Sequence, residues 1–306
     1  MCGELGTLDP TLLINGTYEL RVVASDLAGR GSTSEVQSII VAGSMKVGLF
    51  TLSFEDLSVP LAGIPIQVVR TYDSRNAMAG KAGDFGIGWT MSLKDVRLQK
   101  NRALGTHWKE EITGFIGGLG IPRYEIAPVR DRTVTVTLPD NKVYRFKVVL
   151  NPAVQAGVPI VSGNLVFQPL PGTYGTLAVE GDNVVQVMGD VPYYDPFGGQ
   201  SLFSGFVDLV DPFEGNDFDP QLFRFTTEDG TAYIVHETAG LQKVIDLNGN
   251  EVEYTSSGIF HGSGESVRFV RDSADRIIQI LDPASNVLTY TYSTNNDLVA
   301  FTDRTT

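Results

Sequence analysis

Asp282-Pro283-Ala284-Ser285-Asn286-Val287-Leu288-Thr289-Tyr290-Thr291-Tyr292 sets the architecture of this chain: an Asp-centred turn, then a strand ending in aromatics. It is one copy of a recurring unit. Asp246, Asn250, Val252 and Tyr254 return as Asp282, Asn286, Leu288 and Tyr290, each 36 positions on. An apolar pair precedes each aspartate, Leu241 and Val244 before Asp246, Ile277 and Ile280 before Asp282. Leu298 and Phe301 precede Asp303 in the same way, 21 positions beyond the second copy. Residues 256–266 read as a longer hairpin that departs from this spacing. A fixed period predicts stacked units that cannot bury their apolar faces singly. The expected fold class is all-β, with short antiparallel strands and hairpins winding into a curved or spiral sheet, and residues 241–306 are set apart as the repeat array.

Composition points the same way. The chain has 306 residues, of which 42% are hydrophobic, enough for a sizeable core and too many for a disordered chain. Charged residues make up 19%, below the about 25% usual for globular domains, and there are 33 glycines. Few charges and many glycines favour short strands and tight turns over long amphipathic helices. With 36 acidic and 23 basic side chains the net charge is −13, and no Lys/Arg cluster occurs, which argues against nucleic acid and anionic membranes as partners. The lone cysteine, Cys2, permits no internal disulfide and no cysteine-based zinc site. The longest apolar stretches, such as residues 39–42, fall far short of the ~20 residues of a membrane span. The first residues show neither the basic start nor the apolar core of a signal peptide.

Further toward the N-terminus, residues 64–69 are rich in β-branched side chains and lead into Arg70-Thr71-Tyr72-Asp73-Ser74. Gly83-Asp84-Phe85-Gly86-Ile87-Gly88-Trp89 follows after a polar loop, its glycines permitting backbone angles closed to other residues. A phosphate loop would need a lysine and a preceding buried strand, and neither is present. These two segments, together with the aspartate–tyrosine repeats, resemble the opening of the rearrangement-hotspot (RHS) and YD-repeat family. The likeness covers residues 44–306, strongly at both ends and weakly between. It implies structural roles for Arg70, Tyr72, Asp73, Phe85, Gly86, Gly88 and Trp89, and for Asp246, Asn250, Tyr254, Asp282, Asn286, Tyr290 and Asp303. Family members wind such repeats into a hollow β-shell around a C-terminal payload, often a toxin. The implied partners are the remaining repeats and that payload, and the implied location is secreted or on a bacterial cell surface.

Two other regions complete the domain reading. Residues 1–43 resemble the final hairpin of an immunoglobulin-like or fibronectin-like sandwich, with an alternating strand at 16–24, a turn at 26–31 and a return strand at 35–42. Such a sandwich needs about 100 residues, so the chain is expected to start inside that domain. Residues 44–240 read as the opening region of the repeat family. They contain a hairpin of 133–138 with 144–149 across Asp140-Asn141, and another of 223–227 with 231–235 across Asp229-Gly230. Residues 151–220, rich in Pro, Gly and aromatics, read as a loop-rich insertion with short strands.

Catalysis finds little footing. His107, His236 and His261 are scattered, and Cys2 has no histidine near it. Asp211, Glu214, Asp217 and Asp219 form an acidic loop that offers oxygen ligands for Ca²⁺, although the spacing does not match a calcium-loop pattern and a solvated loop is the blander reading. The family places a self-cleaving D-P-x-G motif near its C-terminal plug. Asp195-Pro196-Phe197-Gly198 has these four positions but precedes the repeats, and it reads as a turn. The expectation is a non-catalytic wall segment without cofactor. The alternatives are a surface adhesion or carbohydrate-binding module using Tyr193, Tyr194, Phe197 and Phe203, and a hydrolase using the acidic loop. An incomplete array leaves its last strand exposed, so the isolated chain is expected to self-associate.

Overall fold

A computed structural model describes residues 6–13, 15–25, 31–41, 43, 50–92, 96–117, 120–140 and 142–304. The chain is all-β, with helix confined to short turns such as Ser74–Met78. Two large antiparallel sheets build it. The first has ten strands and curls into an open half-barrel. After Thr176–Val179, its strands follow one another along the chain from Leu222–Thr226 to Leu298–Thr302, each paired with the next. The second has nine strands and is woven from distant segments: Trp108–Ile116 lies between Ile121–Pro128 and Ser204–Val210, with Trp108 opposite Val207.

The sheets share one apolar core. Phe146 and Phe167 of the nine-stranded sheet meet Phe225 and Phe223 of the other, with ring centroids 6.1 and 5.8 Å apart. All four rings are buried, each contributing about 1.5–3 kcal/mol by leaving water. A third, three-stranded sheet of Thr51–Val59, Ile66–Asp73 and Trp89–Met91 carries the opening motifs. Near the N-terminus, Gly16–Leu20 pairs with Gln37–Val41 and touches the nine-stranded sheet through the Thr17 and Thr135 hydroxyls, 2.6 Å apart. That contact helps explain why both faces of Thr133–Thr137 are buried.

Both hairpins within 101–240 form, pairing Thr135 with Arg145 and Phe225 with Tyr233. Three readings need correction. Residues 151–220 are not an excursion: Val154–Ala156, Ser162–Pro169, Val184–Gly189 and Ser204–Val210 are strands of the nine-stranded sheet, and Thr176–Val179 belongs to the ten-stranded one. Their alternation is masked in the sequence because the outward positions Val166, Val184, Met188 and Phe206 are apolar as well. The boundary at 240/241 falls inside a sheet, since Ala232–His236 pairs with Gly240–Ile245. The strand expected over 16–24 breaks after Leu20, and Val23–Ser25 pairs instead with Gly31–Thr33. Cys2, Asn141, Ala42 and the turn at 26–30 lie outside the described residues. Among the described residues no helix is long and apolar enough to cross a membrane.

Candidate functional site

The opening motif and the repeats meet at one buried arginine. In Thr51–Val59, Glu55 faces Val69 and Leu57 faces Val68, so Asp56 is the extra residue of a β-bulge. The bulge turns its carboxylate inward. Arg70 grips it through Nε to Oδ2 at 2.8 Å and Nη2 to Oδ1 at 2.9 Å, a two-pronged, charge-assisted pair. Tyr290, from the repeat array, donates its hydroxyl to Asp56 Oδ2 at 2.8 Å. Four rings surround the guanidinium: Trp89 at 4.9 Å, Phe301 at 5.0 Å, Phe54 at 5.4 Å and Tyr290 at 5.6 Å. Burial, followed by the Asp56 charge, pushes the Tyr290 phenol far above its usual range, so it stays a neutral donor. A sealed pair with a fixed neutral donor is suited to holding strands together and not to moving protons.

The glycine-spaced segment fastens the same junction. Gly86 sits at φ +91°, and a Cβ there would come within 2.4 Å of Asn296 O, the atom that accepts from Ile87 N at 3.0 Å. Gly88, at φ +77°, leaves room for Ala77 and the Tyr72 ring. Phe85 packs on Tyr290 with centroids 4.9 Å apart, and Asp84 accepts from Arg271 Nη2 at 2.6 Å. Tyr72 rests between Trp89 and Phe50, 5.1 and 5.5 Å away. Asp73 caps Ser74–Met78 through Arg75 N at 2.8 Å and binds the Arg75 guanidinium. Burial raises its pKa, but the hydrogen bonds and charge of Arg75 outweigh this and leave it below the usual carboxylate range. Arg70, Tyr72, Asp73, Phe85, Gly86, Gly88, Trp89 and Tyr290 therefore come together.

Asp246, Asn250, Asp282 and Asn286 serve a different end, in turns along one edge of the ten-stranded sheet. Asp246 N donates to Asn250 O at 2.9 Å and Gly249 N to Asp246 O at 3.1 Å. Asp246 Oδ1 accepts from Asn248 N and Asn250 N, both at 2.8 Å, and Oδ2 from Asn250 Nδ2 at 2.7 Å. Asp282 repeats the design with Asn286 N at 2.8 Å and Nδ2 at 2.9 Å. The fourth residue takes a left-handed backbone each time, Gly249 at +84° and Ser285 at +65°, as a type I turn with a bulge requires. Hydrogen bonds from Asn250 hold Asp246 below the usual carboxylate range. Asp282 is also lowered, since its bonds from Asn286 and Arg304 outweigh a burial effect in the opposite sense.

The hairpin at 256–266 proves to contain a further copy. His261 N donates to Glu265 O and Gly264 N to His261 O, both at 2.9 Å, while His261 Nδ1 accepts from Ser263 N at 3.0 Å. Histidine holds the aspartate position, so the 36-residue shift spans two hairpins. Asp272 and Ser293 open equivalent turns on the opposite edge, with Asp275 and Asn296 left-handed at +61° and +68°. The signal for these positions was a short acceptor followed three places later by Gly, Asn, Asp or Ser. Asp303 is exposed beyond Leu298–Thr302, and its neighbour Arg304 reaches Asp282 Oδ2 at 3.2 Å. Tyr254 points into the core, and burial pushes its phenol well up.

The acidic loop lines a depression of about 360 Å³, but its carboxylates are partly engaged. Asp211 Oδ1 accepts from Phe213 N and Glu214 N, and Asp219 Oδ1 from Lys100 Nζ at 2.8 Å and Leu104 N at 3.0 Å. Among the described residues no group of three or more His, Cys, Asp or Glu could hold a metal ion. Asp195 closes a turn on Phe197 N and Gly199 N, at 2.8 and 2.9 Å. His236 Nδ1 accepts from Thr238 N in a tight turn.

In comparison with known families, residues 44–112 fit a family described as a domain of unknown function, DUF6531. That span contains Asp56, Arg70 and Trp89 but not Tyr290. No curated protein matches the chain.

Proposed function

We propose that this chain is a non-catalytic wall segment of a secreted or surface RHS/YD-repeat protein, forming part of a β-shell that encloses a payload borne on the same polypeptide. The observation that carries this reading is the cage around Arg70, where the opening motif and a repeat tyrosine share Asp56. The junction fastens the three-stranded sheet across one end of a curling meander. Among the described residues the outer strand Leu298–Thr302 pairs only with Val287–Tyr292, an edge of the kind on which another strand can add. Limited proteolysis of the parent polypeptide, with mass spectrometry of the products, tests the reading. A C-terminal fragment protected until the repeat wall is cut is expected. A C-terminal part digested as fast as an exposed linker, or an image of the parent protein without a closed sheet, would overturn it.

A second reading has its own observation. Phe115 packs edge-on against Tyr194 at 4.8 Å, Tyr194 lies 6.4 Å from Phe203, and Phe203 is half exposed, an arrangement suited to stacking on sugar rings. Glycan-array binding that Phe203→Ala abolishes would support it, and it is compatible with a shell carrying ligands on its outer face.

A further inference from the structure

A basic cavity lies in this acidic chain, away from the Arg70 junction. Two loops, residues 101–107 and 129–132, run side by side, joined by Asn101 Nδ2 to Asp131 O at 3.0 Å and Val129 N to His107 O at 3.0 Å. Between them is a cavity of about 430 Å³ lined by Arg102, Thr106, His107, Val129, Arg130 and Arg132. Its size falls within the about 300–1,000 Å³ range of small-molecule pockets.

Arg132 is the decisive side chain. It is only 2% exposed, and Nη2 donates to Thr106 O. Nε is buried without an acceptor, and among the described residues Arg132 forms no ion pair. Buried cations are normally paired, so an unpaired one calls for a partner. The two carboxylates whose charges reach Arg132 are committed elsewhere, Asp208 to His107 N at 2.6 Å and Asp219 to Lys100; Asp131 pairs with Lys147 and Glu19 with Arg102. Burial and then the neighbouring Arg102 charge disfavour the ionised Arg132 and outweigh the favourable charges of Asp208 and Asp219, a remaining cost that an anion would relieve. His107 is held at φ +58°, a strained backbone for a residue with a side chain and one that clusters at binding sites.

We propose that this cavity binds a phosphate or sulfate group carried on a small molecule, gripped by Arg102, Arg130 and Arg132. Guanidinium forks match the paired oxygens of such groups, and the cavity leaves room for the organic portion. The proposal is independent of the shell reading, since either can hold without the other.

Isothermal titration of the chain in low-ionic-strength chloride buffer, with inorganic phosphate, inorganic sulfate and glycerol phosphate as probes, tests it. Saturable one-to-one binding is expected, weakening with added salt. Arg132→Lys keeps the charge but loses the fork and is expected to bind about tenfold more weakly. Arg130→Ala, at an exposed position, should weaken binding by a smaller factor with unchanged circular dichroism, so it decides the matter even if the Arg132 variant fails to fold. Arg268→Ala, on the repeat sheet, should change nothing. Glycerol phosphate binding at least as tightly as inorganic phosphate would support the small-molecule form, and its exclusion would overturn it. Absence of saturation, or binding indifferent to both Arg130→Ala and Arg132→Lys, would overturn the site.

Discussion

The ten-stranded and nine-stranded sheets use the same strand chemistry but are assembled by opposite means. From Leu222–Thr226 onward, the ten-stranded sheet is a meander in which every strand meets its neighbour in the chain, and the six turns opened by Thr227, Asp246, His261, Asp272, Asp282 and Ser293 share one backbone hydrogen-bond design. Its order is specified locally, at low loop-closure cost. The nine-stranded sheet pairs Trp108 with Val207 and carries Glu110 inside, so its order depends on segments remote in the chain. A local design tolerates exchange of the acceptor, as His261 and Ser293 in the aspartate position demonstrate. A woven design concentrates its sensitivity in a few buried side chains. The Arg70 junction combines both traits, since it is buried, assembled from distant residues and set against a locally specified array.

The two tryptophans allow this contrast to be measured separately, because Trp89 lies at the junction and Trp108 in the nine-stranded core. The largest effect is expected from Arg70→Ala, which strands Asp56 as a buried unpaired charge and should cost about 3–5 kcal/mol in chemical denaturation. The loss should be greater when read from Trp89, in a Trp108→Phe background, than from Trp108, in a Trp89→Phe background. Equal shifts would mean that the sheets unfold as one unit. Tyr290→Phe removes only the bond to the Asp56 carboxylate and should cost about 1.5–3 kcal/mol, again at the Trp89 end.

Glu110 probes the woven sheet. It is fully buried, Oε1 accepts from Ile160 N at 2.7 Å, and Oε2 has no donor among the described residues. Burial raises its folded pKa above the ordinary glutamate value of 4.5. The protonated form is therefore the stabilising one, and stability should fall as pH rises from about 4.5 through the raised value. Glu110→Gln should flatten that fall and raise Tm at pH 7 but not at pH 4, measured by calorimetry. An unaltered pH profile would remove Glu110 as its source. The smallest effect belongs to the meander: Ser285→Gly relieves a left-handed backbone and should stabilise by at most about 1 kcal/mol, without moving the Trp108 signal.

How far these features were legible follows from how local they are. The correspondence of Asp246 and Asp282 is legible in the sequence because each turn's bonds close within five residues. His261 is not legible as a further copy because an imidazole nitrogen there takes the place of the carboxylate that marks the other turns. Residues 151–220 read as loops with only short strands, and their place in the two main sheets was not legible, because Val184 and Met188 make the outer face apolar and erase the contrast on which period-two reading depends. Arg70, Trp89 and Tyr290 stand out in the sequence as motif members, but nothing in the sequence shows their shared contact or marks Asp56. A bulge reverses the facing of a strand, and no pattern in 51–59 announces one.

Residue order alone was enough to establish an all-β chain with repeated Asp-headed turns, because hydrogen bonds between near neighbours and alternating hydrophobicity act over a few positions. Only the folded molecule could disclose the bulged Asp56 bound by Arg70 and Tyr290, the strands woven around Glu110 and the arginines gathered beside His107. Those arrangements depend on where distant segments come to rest, and burial then gives ordinary side chains their unusual energies.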